Sequence, residues 1–187
     1  MSPTILTATG QSFNLLEPNV SAINIADIAH SLAHICRFTG HTKAFYSVAE
    51  HSYHCSFLVP PQDALCALLH DATEAYLGDV ASPLKRLLPD YKVLEERAWF
   101  AIATCYLLPL EMPATVKEAD MLMLRTERRD LMPHTNEVWA DIEGVAPAQF
   151  TITPLHPEVA KYKFLSRFVE LWPHHLFTNR PKETLHV

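Results

Sequence analysis

Glycine is scarce in this chain, with only four in 187 residues. That leaves little room for a glycine-rich phosphate loop, and neither a GxGxxG nor a GxxxxGK[ST] run is present. Paired cysteine motifs are missing too. The four cysteines, at 36, 55, 66 and 105, show no CxxC spacing and lie in apolar helical contexts, so they read as reduced, buried thiols. The longest apolar run, "AWFAIATCYLLPL" at 98–110, is too short for a membrane span and contains a proline. The start, "MSPTILTATG", has no basic stretch leading into an apolar one, so no secretory signal is expected and the cytoplasm is the default. Basic residues are outnumbered, 15 Lys and Arg against 21 Asp and Glu, for a net charge of −6. This argues against a nucleic-acid polymer as partner, yet it leaves open a small phosphorylated ligand held by a few local cations.

What is present is apolar: 49% of residues, with 19% charged. A chain of this length and composition is expected to be one globular domain with a substantial core. Prolines, at "VPPQD", "LLPDY", "LPLEMPAT" and "LMPHT", separate stretches of helical periodicity. Helices are expected at roughly 25–36, 43–58, 63–77, 91–107, 114–131 and 157–172, with a short one near 83–88. In "SPLK", Ser82 suits an N-cap and Pro83 the first helical position. "TILTATGQSFNLL" predicts a small hairpin turning near Gly10, and "QFTIT" at 149–153 a third short strand. The fold class is therefore all-α with a small N-terminal β-hairpin.

Several polar residues interrupt this pattern. On the 63–77 helix, Leu65, Leu68, Leu69, Ala72, Ala75 and Tyr76 form one face, while His70, Asp71 and Glu74 cluster opposite. Alone, that cluster reads as a solvated face. On 114–131, Asp120 falls on the side of Val116, Met123, Leu124 and Leu131, where a carboxylate needs a partner. Arg125, Arg128 or Arg129 would serve as a salt bridge; a cation would serve as well. On 43–58, His51 lies in the seam of Ala44, Val48, Cys55 and Leu58, the usual place for a satisfied core histidine. Together, three helices each aim a metal-competent side chain inward. Two imidazoles and two carboxylates suit a divalent transition metal with positions left open for water and substrate.

"EHS" at 50–52, "HDATEAYLGDVASPLK" at 70–85 and "KEAD" at 117–120 resemble the HD-domain metal-dependent phosphohydrolases, whose signature is H…HD…D. The resemblance is closest to the small bacterial and phage 5'-deoxynucleotidases and dATP triphosphohydrolases. "DIAHSLAHICRFTGHTKAFYSVAEHS" at 27–52 looks like the phage-type N-terminal half, and the match spans roughly residues 20–132. It implies an HD helical bundle, with metal ligation by His51, His70, Asp71 and Asp120, and a catalytic role for Glu74. It assigns positioning of water or substrate to Asp79, Arg37 and Lys85. The implied cofactor is Mn2+, Co2+ or Zn2+, with a second divalent ion such as Mg2+ as a further option. The implied reaction cleaves the ester between a nucleoside 5'-oxygen and the α-phosphorus, in a bacterial or phage-infected cell. A dATP-like triphosphate is favoured over a deoxynucleoside monophosphate. The alternative from another class is a noncatalytic nucleotide-binding protein, which would lack a ligand or Glu74; neither is missing here.

On this reading Glu74, one turn beyond His70, orients or deprotonates the attacking water. Arg37 supplies a fork of donors and Lys85 a point charge. Arg37 is expected on the same side of the first helix as His30 and His34, and Phe38 reads either as a stacking surface for base or sugar or as core. The His30–His34 pair, at i and i+4, suits a phosphate-contacting or supporting role better than ligation. Glu127, on the face of Asp120, is expected to pair with an arginine, and His174, His175 and the tail "TNRPKETLHV" to be solvated. Apolar content and the resemblance imply a homo-oligomer, dimer or larger, with Trp99, Phe100 and Tyr106 as contact candidates.

Overall fold

A two-stranded antiparallel hairpin opens the chain: β1 (Thr4–Leu6) and β2 (Ser12–Asn14), with Ile5 opposite Phe13. It turns at Gly10, whose φ of 83° is one that L side chains avoid. The computed structural model describes residues 3–178, with side chains as far as Trp172. Among the described residues eight α-helices follow: α1 (Ile25–His34), α2 (Val48–Cys55), α3 (Ala64–Leu69), α4 (Glu74–Leu77), α5 (Ser82–Lys85), α6 (Pro89–Tyr106), α7 (Ala114–Leu131) and α8 (Pro157–Thr178). The fold is all-α with a small β-hairpin, as the periodicity predicts. The expectation for His174, His175 and the tail falls outside the described side chains.

The long α8 packs along α1, α2 and α3, and α7 crosses α2 from the other side. Ile28, Leu32, Val48, Leu65, Leu68, Leu69, Met123 and Phe164 are fully or almost fully buried between them. Each such side chain contributes about 1.5–3 kcal/mol of transfer free energy. Phe13 stacks on Tyr76 with ring centroids 3.9 Å apart, which pins the hairpin to α4. Among the described residues, no helix is long and apolar enough to cross a membrane.

The borders differ from expectation where side chains compete for backbone groups. The 43–58 helix begins only at Val48, because Ser47 caps it by accepting from the Glu50 amide. Just upstream, Arg37 N–H donates to the Tyr46 carbonyl and Val48 N–H to the Ile35 carbonyl, around an isolated bridge between Cys36 and Ser47. The 63–77 helix is broken between α3 and α4, where His70 Nδ1 bonds the Ala67 carbonyl and the backbone tightens to i→i+3 bonds. Ser82 is the first residue of α5 and Ala81 its cap, so the expected Ser82 cap is not made. "QFTIT" is not a strand. Its amides and carbonyls go to side chains instead: Ile152 N–H donates to Asp130, and Phe150 C=O accepts from Arg129. Of the three aromatics proposed for an oligomer contact, Tyr106 is core, packed edge-on to Phe168 and Trp172. Trp99 donates to the Leu110 carbonyl, while Phe100 is 59% exposed.

One buried carboxylate fastens the hairpin to the bundle. Asp27 of α1 accepts from Thr7 Oγ1 (2.8 Å), Thr9 Oγ1 (2.6 Å) and Thr9 N (2.7 Å). Asp27→Ala strands three donors, so it should cost about 1–3 kcal/mol in urea unfolding. A variant within about 0.5 kcal/mol of the parent chain would show that the hairpin docks without this anchor.

Candidate metal centre and adjoining pocket

His51 is fully buried on α2, and its Nδ1 lies 2.6 Å from Glu127 Oε1 of α7. A carboxylate at that distance accepts a hydrogen bond from Nδ1–H and leaves Nε2 facing the cavity. The other oxygen of Glu127 accepts from Arg37 Nη2 at 3.1 Å. The arginine expected to pair with Glu127 is thus Arg37, from the segment after α1. His70 repeats the device with a different partner, its Nδ1 donating to the Ala67 carbonyl at 2.8 Å.

The two Nε2 atoms stand 3.3 Å apart. Asp71 Oδ2 lies 3.6 Å from that of His51 and 3.3 Å from that of His70, and Asp120 Oδ1 lies 3.2 and 4.0 Å from them. Ligands held about 2.1 Å from one ion are themselves roughly 3.0–3.4 Å apart; the spacings of 3.2, 3.3 and 3.3 Å fall in that range, while those of 3.6 and 4.0 Å are wider. Asp120 is not paired with an arginine of its own helix. Its side chain is 32% exposed, although Val116, Met123 and Leu131 of the same stripe are buried. Cys55 Sγ is 3.5 Å from His51 Nε2. His51, Cys55 and His70 lie close enough together to hold a metal ion. Cys55 reads in the sequence as an inert thiol; the signal that it shares the site is its i+4 spacing from His51.

Charge explains the protonation state without an ion. Burial and Arg37 push the His51 imidazolium down, but Cys55, Glu127 and the hydrogen bond to Asp120 outweigh them and raise its pKa well above 6.5. Burial pushes Asp120 up, yet the His51 hydrogen bond and the charges of His51, His70 and Arg37 hold it well below the usual carboxylate range.

Glu74 is buried on α4. Its Oε1 is 3.6 Å from Lys85 Nζ, and its Oε2 has no hydrogen-bond partner among the described residues. Burial, then the Asp71 and Asp79 charges, push its pKa well up. Burial raises Asp79 as well. Lys85 is drawn to Glu95 at 2.7 Å, so its ammonium bridges two carboxylates.

A pocket of about 690 Å³ adjoins the centre and is lined by Arg37, Phe38, Asp79, Arg86 and Trp139 among others. Lys85 is not in its lining. Arg37 joins pocket to centre, because its Nη1 also lies 3.4 Å from Asp71 Oδ2. His30 and His34 stand apart from this site. They line a separate cleft with Thr7 and Asp27 under the hairpin, and His30 lies against Lys161 of α8. The shared side expected for Arg37 fails because the chain leaves the helix at Ile35, which is extended (φ −85°, ψ 118°), and a helical phase carried past it means nothing. Trp139 and Glu95 carry no motif, and sequence reasoning misses both.

No family model matches the chain. It is 49% identical over 168 residues to the uncharacterized protein YfdR of Escherichia coli (strain K12), covering 89% of this chain and 94% of that one. It is 38% identical over 121 residues to an uncharacterized protein of Rhodobacter capsulatus, covering 59% of this chain and 62% of the relative.

The raised pKa of His51 means that a metal ion must displace a proton. Mn2+ affinity should therefore strengthen between about pH 6 and about pH 8. The stability that the same proton gives the metal-free chain runs the other way. It is complete below the ordinary imidazole value of 6.5 and is lost as pH rises through the raised one. Titration calorimetry and metal-free melts at both pH values check the pair of trends. Equal affinity at the two would show His51 to be unprotonated in the metal-free chain.

Proposed function

We propose that this chain, which belongs to the family of the Escherichia coli protein YfdR, is a metal-dependent phosphohydrolase that cleaves the 5'-phosphoester of a deoxynucleotide. One observation carries the reading. Two imidazoles, each with Nδ1 committed to a fixed acceptor, bring their Nε2 atoms within 3.2–4.0 Å of two carboxylates, and Arg37 links this cluster to the adjoining pocket. His51, His70, Asp71 and Asp120 would hold a divalent transition ion of the Mn2+, Co2+ or Zn2+ class. Bound there, it supplies Lewis-acid polarisation of a phosphoryl oxygen and acidifies water.

The remaining work falls to the chain's own residues. Glu74 offers a buried oxygen without a partner among the described residues, and burial with the Asp71 and Asp79 charges raises its pKa well above the ordinary carboxylate value, which suits it to orient an attacking water and take its proton. Arg37, anchored on Glu127 and Asp71, presents its guanidinium at the pocket wall to nonbridging phosphate oxygens. Asp79 lines the same wall and suits a hydrogen bond to water or sugar. Lys85, held between Glu95 and Glu74, sets the charge around Glu74 rather than contacting phosphate.

The favoured substrate is a dATP-like triphosphate, by resemblance. A deoxynucleoside monophosphate is the second reading, and the pocket gives it specific support: among the described residues Arg37 and Arg86 are its only Arg or Lys, beside the carboxylates of Asp79, Glu137 and Asp141. On either reading the enzyme is a cytoplasmic homo-oligomer, with exposed Phe100 as the contact candidate.

Bound metal and turnover measured on one preparation test the assignment. Asp120→Ala should lose both, since it removes an anionic donor. Glu74→Gln should keep its metal while turnover falls roughly two to four orders of magnitude. Retained turnover in Glu74→Gln would sink this mechanism, and joint loss of metal and activity there would make Glu74 a ligand instead.

A further inference from the structure

Trp139 enters the pocket from the segment between α7 and α8, just ahead of a one-turn helix (Ala140–Ile142) anchored by buried Ile142. It faces Phe38 with ring centroids 6.0 Å apart and planes 40° apart, so the two rings diverge instead of stacking. Each ring already carries a guanidinium. Arg128 lies over Trp139 at 4.8 Å and Arg37 over Phe38 at 5.5 Å. Arg128 also donates to the Glu137 carbonyl, which ties the Trp139 segment to α7.

The opposite wall is built at a cost. Phe38 and Thr39 have φ of 55° and 53°, the left-handed region that side chains other than glycine's rarely adopt. Backbone bonds hold them there: Arg37 N–H to Tyr46 C=O and Gly40 N–H to Arg37 C=O. Strain is retained where the Phe38 ring meets the pocket. Two aromatic walls that diverge, one on a strained loop and one on an anchored turn, fit a flat heteroaromatic ring, which packs at about 3.5 Å from each face. Parallel walls for such a ring need the 40° between the planes closed and the centroids about 1 Å farther apart than their 6.0 Å.

We infer that Trp139, with Phe38, forms a base-binding slot, and that Trp139 is the residue by which the site prefers a nucleotide to a bare sugar phosphate. The choice of a nucleobase as occupant rests on the phosphohydrolase reading above; the slot itself rests on the ring geometry.

The test uses the full-length chain with Mn2+ and three probes: dAMP, dATP and 2-deoxyribose 5-phosphate, which has the sugar and phosphate without the base. Trp139→Ala should raise KM for the nucleotide about 5- to 150-fold, the range of base–aromatic stacking, with kcat within about threefold. KM for 2-deoxyribose 5-phosphate should move by less than about threefold, and Trp139→Phe should recover most of the nucleotide affinity. A readout independent of turnover is the quenching of tryptophan fluorescence by dAMP or dATP, present in the parent chain and lost in Trp139→Phe. Equal KM shifts for nucleotide and abasic probe, or unchanged nucleotide KM in Trp139→Ala with hydrolysis intact, would overturn the slot while leaving the phosphohydrolase reading in place. Quenching that depends on Trp139 in a chain that hydrolyses none of the probes would do the reverse. Neither quenching nor hydrolysis would remove both. Trp139→Phe, which keeps an aromatic wall, guards against a Trp139→Ala variant that fails to fold.

Discussion

A carboxylate with no exposure to solvent organises the functional half of this molecule. Glu127 is completely buried, and an unpaired charge there would be untenable. Both its oxygens are matched, one to His51 Nδ1 and one to Arg37 Nη2. The first bond decides which nitrogen of His51 faces the cavity. The second draws Arg37 down from the end of α1 until it touches Asp71 and walls the pocket. Three separate segments are therefore registered by one side chain of α7, and the donor geometry at His51, His70, Asp71 and Asp120 follows from that registration.

The same neighbourhood is short of positive charge. Asp71, Glu74, Asp79, Asp120 and Glu127 crowd together, while Arg37 and Lys85 are the fixed cations among them, and Glu95 claims part of Lys85. The chain without an ion responds by holding a proton on His51 and raising the pKa of Glu74. Both adjustments are what a divalent cation would relieve. The surplus of acid is in this sense a binding feature, one that the modest net charge of −6 does not reveal.

Much of the fold was legible because the apolar residues recur at helical spacing, and α1, α6 and α7 begin or end close to where proline and polar signals set them. His51 and Asp120 stood out as polar residues on apolar stripes, while His70 and Asp71, on the face opposite one, gained meaning only in combination with them. What sequence could not supply was the competition between side chains and backbone. The His70 imidazole takes the Ala67 carbonyl at the α3–α4 break, and the Ser47 hydroxyl delays α2. Periodicity also fails beyond a helix end, which is why Arg37 parts from His30 and His34. Cys55 was hidden by its own good manners as a core residue at i+4 from His51. Trp139 lies in a stretch without any period, so nothing local marked it.

The division of labour follows from which parts are rigid. His51, Asp120 and Glu127 stand on packed helices, and His70 and Asp71 on the tight turn that joins two of them. The pocket walls belong instead to loops, the 37–41 segment and the 137–141 segment, where strain at Phe38 and Thr39 is tolerated. Helix-borne donors keep their spacing when loops vary, so the pocket walls are free to change without disturbing the His51, His70, Asp71 and Asp120 cluster. Arg37 is the exception. It is held by Glu127 and Asp71 on one side and lines the pocket on the other, and any ligand that pulls on its guanidinium also pulls on the carboxylate that orients His51. The pocket wall and the orientation of the His51 imidazole are thereby linked through one side chain.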